Sequence, residues 1–179
     1  MTEVILVDEN DLPVGHMEKM EAHRKALLHR AFSVFIFNNK GAMLLHQRAA
    51  DKYHSAGLWS NACCSHPAPG QETLPAAEKR LQEEMGITTP LEHVFSFTYK
   101  APFENGLTEY EFDHVFVGCY DGPITPNAAE VQDYKYADLE SLEQELARQP
   151  EKYTAWFKIA FPKMLEYLAA HTVKPATSI

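Results

Sequence analysis

The sequence has few cysteines and no apolar run long enough to cross a bilayer. Only three of its 179 residues are cysteine, and this odd number fits a reducing compartment better than a disulfide framework. Cys63 and Cys64 are adjacent and therefore poorly placed to bond to each other. The first residues, Met1-Thr2-Glu3, lack the basic region of a secretory signal. We therefore expect a cytoplasmic protein with no membrane contact.

Positive charge is also scarce. The chain has 16 lysines and arginines against 25 aspartates and glutamates, which gives a formal charge of -9. Nucleic acid and anionic membrane surfaces both need a cationic footprint, so neither is expected as a partner. A small anionic ligand is compatible with this charge if cations are gathered at its site. With 45% hydrophobic residues, a chain of this length is expected to form one core and one domain.

Hydrophobic periodicity and turn residues predict a mixed sheet flanked by helices. The predicted strands cover residues 4–7, 30–37, 42–47, 91–100, 108–120 and 131–137. Helices are predicted within residues 16–28, from a capping Thr73 to a C-terminal Gly86, and over residues 139–148 and 153–171. Residues 38–41 predict a hairpin turn, and residues 48–58 an irregular basic loop. Because strands and helices intermix without strict alternation, we expect an α/β or α+β domain over residues 1–172 and a flexible tail over residues 173–179.

The segment from Trp59 to Pro67 brings a thiol and an imidazole together. Cys64 stands two positions before His66, and a protonated or metal-bound imidazole lowers the pKa of a neighbouring thiol. We therefore interpret Cys64 as a nucleophile or proton carrier. Alone, a cysteine is more often an inert small hydrophobic residue, and that alternative stays open.

Alternating carboxylates mark the start of the strand predicted over residues 108–120. Glu109, Glu111 and Asp113 fall on one face because successive side chains of a strand point to opposite faces. The same face continues apolar through Val115, so its acidic end predicts a cavity at a sheet margin where a cation neutralises the carboxylates. The alternative is the solvated face of an edge strand.

Histidines add nitrogen donors to these carboxylates. A convergence of His23, His29, His66, Glu109 and Glu111 would suit an octahedral divalent ion such as Mn, Mg or Zn, with one position left open. We call these five residues the cage, and we predict one tightly bound ion in it. The other histidines are expected to be exposed or satisfied by hydrogen bonds; these are His16, His46, His54, His93, His114 and His171.

The second predicted helix ends in Glu83-Glu84-Met85-Gly86. This sequence resembles the end of the box of the Nudix family, a helix whose carboxylates hold magnesium and diphosphate. Where the family's box has a glycine, a glutamate and an arginine-glutamate pair, this chain has Ser65, Gln71, Lys79 and Arg80. Most of the glutamates that organise hydrolysis are missing, which implies the Nudix scaffold with a changed activity. The alternative interpretation of Glu83-Glu84 is a solvated helix face.

Several motifs follow one another along the chain between the first strand and Trp156. These are Leu28-His29-Arg30-Ala31-Phe32-Ser33, Gly57-Leu58-Trp59-Ser60-Asn61, Cys64-Ser65-His66-Pro67, Tyr99-Lys100-Ala101 and Glu109-Tyr110-Glu111. In these motifs and their order the chain resembles the type I isopentenyl-diphosphate isomerases, which have a Nudix-like fold. The resemblance implies an enzyme that moves the double bond of isopentenyl diphosphate through a tertiary carbocation.

The resemblance also implies roles for individual residues. Cys64 and Glu111 would carry protons, with Tyr99 bonded to Glu111 and with Trp156 beside the carbocation. The cage would match the family's metal site, and Glu84 would hold a second, substrate-associated Mg. The diphosphate would meet four cationic side chains, which are Lys19, Arg48, Lys52 and Arg80. The expected partner is this small diphosphate, and the expected assembly is a monomer or a weak homodimer.

Two other functions remain open from the sequence. A Nudix-type diphosphate hydrolase would use Glu83 and Glu84 on magnesium to activate water. A metal-stabilised binding module would keep the cage as a purely structural site. In that case Cys64, Tyr99 and Trp156 would have no common purpose.

Overall fold

The computed structural model describes residues 2–171, which form nine strands and four α-helices. The strands are β1 (Glu3–Val7), β2 (Pro13–Glu18), β3 (His29–Phe37), β4 (Met43–Arg48), β5 (Trp59–Ser60), β6 (Cys63–Ser65), β7 (Glu92–Pro102), β8 (Thr108–Cys119) and β9 (Val131–Ala137). The helices are α1 (Lys19–Arg24), α2 (Thr73–Met85), α3 (Leu139–Arg148) and α4 (Ala155–His171). Of these helices, none is long and apolar enough to cross a membrane. The tail predicted over residues 173–179 lies outside the described residues.

Strand β3 lies at the centre of the sheet and is buried on both faces. Phe32, Val34 and Ile36 pack with α2 on one face, whereas Phe35 and Phe37 pack with α3 and α4 on the other. It pairs over most of its length with β8 in the parallel direction and with β6 in the antiparallel direction, and its ends also meet β1 and β4. A near-continuous apolar run is typical of a strand covered on both faces. The predicted mixed sheet flanked by helices is therefore confirmed.

The strand register brings distant parts of the sequence together at one end of β3. His29 pairs with Glu111 on β8, and Glu111 pairs in turn with Tyr99 on β7. On the other side of β3, Ser33 pairs with Cys64 on β6. Four strands thus deliver their polar side chains to one region of an otherwise apolar sheet.

The three alternating carboxylates, Glu109, Glu111 and Asp113, lie on an interior strand of the sheet. Strand β8 hydrogen-bonds to β3 and to β7, so it is not an edge. Glu109, Glu111 and Asp113 are all buried, and Val115 continues the same face into the core that contains α4. The solvated edge-strand alternative is therefore wrong.

One predicted helix fills only part of its segment, and the start of another is wrong by one residue. Residues 16–18 belong to β2, where Glu3 pairs with Glu18, and α1 covers only six residues. The Glu18 carboxylate accepts hydrogen bonds from the backbone N–H groups of Met20 and Glu21, which starts this helix. Thr73 is the first helical residue of α2 and not its cap. The predicted end at Gly86 is confirmed, because its φ of 68° is left-handed.

The predicted hairpin turn is confirmed, but its two strands barely pair. Phe37 pairs with Met43, and the strands then separate as β4 pairs with β9 and β5. The short strands β5 and β6 follow the loop predicted over residues 48–58, and the sequence did not predict them. Their pairing to β4 and β3 fixes the position of the Cys64 side chain.

Candidate active site

One cavity of about 150 Å³ gathers most of the residues that the sequence singled out. Every predicted site residue lines it except His23 and His29, which are fully buried next to His66. The lining residues are Lys19, Ser33, His46, Arg48, Lys52, Tyr53, His54, Cys64, Ser65, His66, Arg80, Glu84, Tyr99, Glu109, Glu111, Glu130 and Trp156. The cavity is therefore polar and carries both signs of charge.

The backbone fixes the tautomers of two cage histidines. His23 Nδ1 lies 2.6 Å from the carbonyl oxygen of Lys19, and His29 Nδ1 lies 2.8 Å from that of Leu27. A carbonyl only accepts, so each Nδ1 carries the hydrogen and each Nε2 keeps its lone pair. Among the described residues neither Nε2 has a hydrogen-bond partner. Such an orientation is the usual one for a histidine that binds a metal.

The cage carboxylates are held by a tyrosine and by histidines. The Tyr99 hydroxyl donates to Glu111 Oε2 at 2.7 Å and lies 3.0 Å from Glu109 Oε2. Glu111 Oε1 lies 2.8 Å from His66 Nε2 and 3.5 Å from His29 Nε2. Burial and the neighbouring Glu111 raise the pKa of Glu109 to about 8. Burial opposes ionisation of Glu111 as well, but His66 and His29 hold the pKa of that carboxyl well below its usual range.

These donors form two overlapping groups that could hold a metal ion. The ligand atoms of His23, His29, His66 and Glu111 all lie within 4.8 Å of one another. Glu109 belongs to the second group, with His23 and His54. Burial lowers the pKa of His23 to about 4 and that of His66 to about 3, so both imidazoles are neutral, as metal ligands must be.

His54 is a site residue that the sequence did not predict. It was expected to be exposed or hydrogen-bonded through its ring, and its Nδ1 does lie 3.3 Å from Ser55 Oγ. Its side chain is nevertheless buried in the cavity wall, and its Nε2 lies 3.2 Å from Glu109 Oε1. Burial lowers the pKa of His54 to about 3. It follows β4 in a loop without periodicity, so no sequence pattern could place its ring.

Cys63 and Cys64 point to opposite faces. Cys63 is buried in the core against α2, whereas Cys64 lines the cavity. The Cys64 thiol donates to Asn61 Oδ1 at 3.1 Å and lies 3.4 Å from Ser33 Oγ, which donates to Asp113 at 2.7 Å. Burial raises the pKa of the Cys64 thiol, and the Asp113 carboxyl acts in the same direction. The side chain is therefore a neutral thiol that can donate a proton, and the lowering of its pKa by a metal-bound or protonated His66 stays a prediction.

Cations and carboxylates alternate along the rest of the cavity. Arg80 contacts Glu84 at 2.5 Å, and Lys52 forms an ion pair with Glu130. Glu130 was not predicted, because a single acidic residue before a strand carries no pattern. Cations beside carboxylates suit an anionic ligand that arrives with a divalent ion.

Trp156 forms an aromatic wall of the cavity at the start of α4. The guanidinium of Arg48 lies 5.1 Å from the centre of its ring, and the His54 ring meets it edge-on at 5.8 Å. The ring thus already attracts one cation, as an electron-rich indole face does.

Comparisons with known proteins agree with this geometry. A family model described as the NUDIX domain matches residues 27–157. The isopentenyl-diphosphate Delta-isomerase of Pectobacterium atrosepticum is 51% identical over 170 residues, which cover 95% of each chain. That of Serratia proteamaculans is 50% identical over 154 residues, which cover 86% of each chain.

Solved structures show the same fold at low identity. DR0079 from Deinococcus radiodurans has a TM-score of 0.76 at 18% identity, covering 90% of this chain and 98% of that one. The MutT protein from Methanosarcina mazei has a TM-score of 0.66 at 18% identity, covering 82% and 96%. The expected Nudix-like fold is thus confirmed. The chain belongs to the NUDIX family and, within it, to the isopentenyl-diphosphate Delta-isomerases.

Proposed function

We propose that this protein interconverts isopentenyl diphosphate and dimethylallyl diphosphate. One observation carries the proposal: the neutral Cys64 thiol and the ionised Glu111 line a single cavity that also holds four cationic side chains. A proton donor and a proton acceptor therefore share a space with groups that bind diphosphate. The relatives of known name support the same reaction.

The reaction needs two proton carriers and no redox partner. A proton adds to the terminal alkene carbon of isopentenyl diphosphate, which leaves a tertiary carbocation. A second proton then leaves the carbon nearer the diphosphate, and its electron pair forms the new double bond. We assign Cys64 to one side of the substrate and Glu111 to the other, with Tyr99 holding Glu111 in place. The diphosphate is retained throughout.

Trp156 would stabilise the carbocation. A desolvated cation over an indole ring is stabilised by about 2 kcal/mol, which corresponds to roughly thirtyfold in rate. The contact between Arg48 and this ring supports the assignment, because the guanidinium occupies the kind of position that a cation prefers. Substrate binding would bring the diphosphate to Lys19, Arg48, Lys52 and Arg80.

Four cage residues, His23, His29, His66 and Glu111, lie close enough together to hold a tightly bound divalent ion, and Glu109 belongs to the overlapping group. Within residues 2–171, the Nε2 atoms of His23 and His29 have no hydrogen-bond partner, which supports this, since a buried nitrogen without a hydrogen bond is costly unless it binds something. Mn, Mg or Zn would supply the positive charge that keeps Glu109 and Glu111 ionised. A second Mg would accompany the diphosphate at Glu84, which is buried and faces Arg80.

We further propose that the protein works as a monomer or a weak homodimer in the cytoplasm, without nucleic acid or membrane. Cavity-lining residues of one chain provide both proton carriers and the diphosphate contacts. The acidic net charge of -9 supports a small ligand bound by local cations.

Heavy water distinguishes this function from the alternatives. The protein is incubated with isopentenyl diphosphate and Mg in deuterium oxide, and the products are analysed by NMR and by phosphate release. An isomerase yields deuterated dimethylallyl diphosphate and no free phosphate. Released phosphate would instead support a Nudix-type hydrolase, and unchanged substrate would support a metal-stabilised binding module.

A further inference from the structure

The side chain of Asn61 is fully buried beside the Cys64 thiol. Its Nδ2 donates to two backbone carbonyl oxygens, that of Val34 at 3.0 Å and that of Cys63 at 2.9 Å. Carbonyl oxygens only accept hydrogen bonds, so these two contacts fix which end of the amide is the nitrogen. The Oδ1 atom of Asn61 therefore faces the opposite way, towards Ser60 and Cys64.

A chain of hydrogen bonds reaches Asn61 Oδ1 from the start of α4. The backbone N–H of Phe157 donates to Thr154 Oγ1 at 3.3 Å, and the Thr154 hydroxyl donates to Ser60 Oγ at 3.1 Å. The Ser60 hydroxyl then donates to Asn61 Oδ1 at 2.9 Å. Each hydroxyl accepts one hydrogen and donates its own, so every bond in the chain has a single direction. The chain thus connects Asn61 to the helix turn that carries Trp156.

The second hydrogen bond to Asn61 Oδ1 comes from Cys64, whose Sγ lies 3.1 Å away. An amide oxygen has no hydrogen to give, so the thiol must be the donor in this contact. Ser33 Oγ lies 3.4 Å from the same sulfur, but its own hydrogen is donated to Asp113. The orientation of Asn61 therefore sets the direction of the thiol hydrogen.

We propose that Asn61 is a positioning residue for the proton donor, because it holds the Cys64 thiol in one orientation and links it to the start of the helix that carries Trp156. This inference rests on the proposed function, in which Cys64 is one of the two proton carriers. A thiol is a weak donor, so a turn about the Cβ–Sγ bond can redirect its hydrogen from Asn61 to the substrate. The π electron pair of the alkene then forms the new C–H bond, and the electron pair of the broken S–H bond stays on sulfur.

The S–H stretching band of Cys64 tests this geometry without substrate, because thiols absorb in an infrared region that other protein groups leave clear. A double variant, Cys63→Ala with Cys119→Ala, keeps Cys64 as the single cysteine of the chain. We expect its band at a lower frequency than that of a thiol in an apolar solvent, since the S–H bond is weakened by donation to Asn61. A band at the apolar-solvent frequency would overturn the proposal.

Two further variants in the same background identify the acceptor. Ser60→Ala removes the other hydrogen from Asn61 Oδ1, so the thiol should bond more strongly and its band should move to a still lower frequency. Ser33→Ala is the matched control, because Ser33 contacts the same sulfur and its loss should leave the band in place. A band that stays in place in Ser60→Ala, or that moves to higher frequency in Ser33→Ala, would contradict the role of Asn61.

Turnover shows whether this orientation matters for the reaction. Asn61→Ala should lower kcat on the order of a hundredfold and leave KM nearly unchanged, because misplacing a reacting group by about 1 Å costs that much in rate. An unchanged kcat in a folded Asn61→Ala would overturn the proposal, and if this variant does not fold, the band of Ser60→Ala decides. A lowered band without isomerisation in heavy water would instead overturn the proposed function, since the infrared measurement needs no substrate.

Discussion

Single side chains in this site are distinguished by which face of a strand they occupy. Cys63 and Cys64 are neighbours, but one packs against α2 and the other lines the cavity. We expect Cys64→Ala to abolish isomerisation, because one of the two proton carriers is lost. Cys63→Ala should keep most activity. Turnover of isopentenyl diphosphate by both variants measures this. An inactive Cys63→Ala together with an active Cys64→Ala would reverse the assignment.

Trp156 gives a second prediction about a single side chain. The unmodified protein should bind a diphosphate whose carbon chain carries a tertiary ammonium far more tightly than its neutral isostere, because enzymes complement the transition state. Trp156→Leu should reduce that preference by up to about thirtyfold, the equivalent of about 2 kcal/mol of cation–π energy. Calorimetric titration of both analogues measures the ratio. Equal affinities in the unmodified protein would remove the carbocation from the mechanism.

Side chains of the site differ in how far the sequence could predict them. Alternation along the strand predicted that Glu109 and Glu111 share one face, and the spacing of Cys64 and His66 predicted that their side chains lie together. Both are local patterns. His54 could not be predicted because its loop has no period. The raised pKa of the Cys64 thiol was also unpredictable, since it depends on burial by residues distant in the sequence.

The C-terminal end of helix α2 strongly favours glycine at position 86. Gly86 ends the helix with a φ of +68°, and a Cβ there would lie 2.1 Å from Thr125 Oγ1. We expect Gly86→Ala to lower the free energy of unfolding by about 1–3 kcal/mol, because the left-handed conformation and the clash both oppose it. Gly41→Ala is the control, since it has a φ of +78° with nothing within 4 Å. Urea unfolding should show a smaller loss for Gly41→Ala; equal losses would exclude the clash.

Strands and helices were predictable where they are long and patterned. Strands β3 and β8 are apolar or alternating over many residues, and both were predicted within one residue of their ends. Strands β5 and β6 have two and three residues, too few for any period to show. Helix α1 fills only part of residues 16–28 because residues 16–18 pair with β1, a contact that helix propensity does not report.

The molecule as a whole depends on pairings that no local pattern encodes. The parallel register of β3 with β8 sets His29 opposite Glu111, although about half of the chain separates them. Composition and motifs predicted the mixed sheet and the family, but not this register. The cage therefore exists only in the folded chain, and metal binding is coupled to the stability of the whole fold.

The shifted pKa values of the buried site residues predict how the stability of the metal-free protein depends on pH. His23, His46, His54 and His66 have folded pKa values of about 3–4, below the ordinary 6.5, so their contribution to stability is lost as pH falls below 6.5. Glu109 has a folded pKa of about 8, above the ordinary 4.5, so its contribution is lost as pH rises towards 8. We expect maximal stability of the chelated protein near pH 6.5, with a fall of roughly 1 kcal/mol per pH unit above it.

Bound metal should reverse the fall in stability above pH 6.5. Binding requires Glu109 to lose its proton, so the apparent affinity should rise about tenfold per pH unit between pH 6.5 and 8, and stability should rise with it. Urea unfolding at several pH values, with excess metal and with chelator, measures both branches. Glu109→Gln is the control: it cannot ionise, so the chelated variant should lose less stability between pH 6.5 and 8 than the unmodified protein, with any remaining loss coming from Asp113 and His29, whose pKa values are also raised. An equal decline in Glu109→Gln and the unmodified protein would show that Glu109 is not the residue that links protons to the metal.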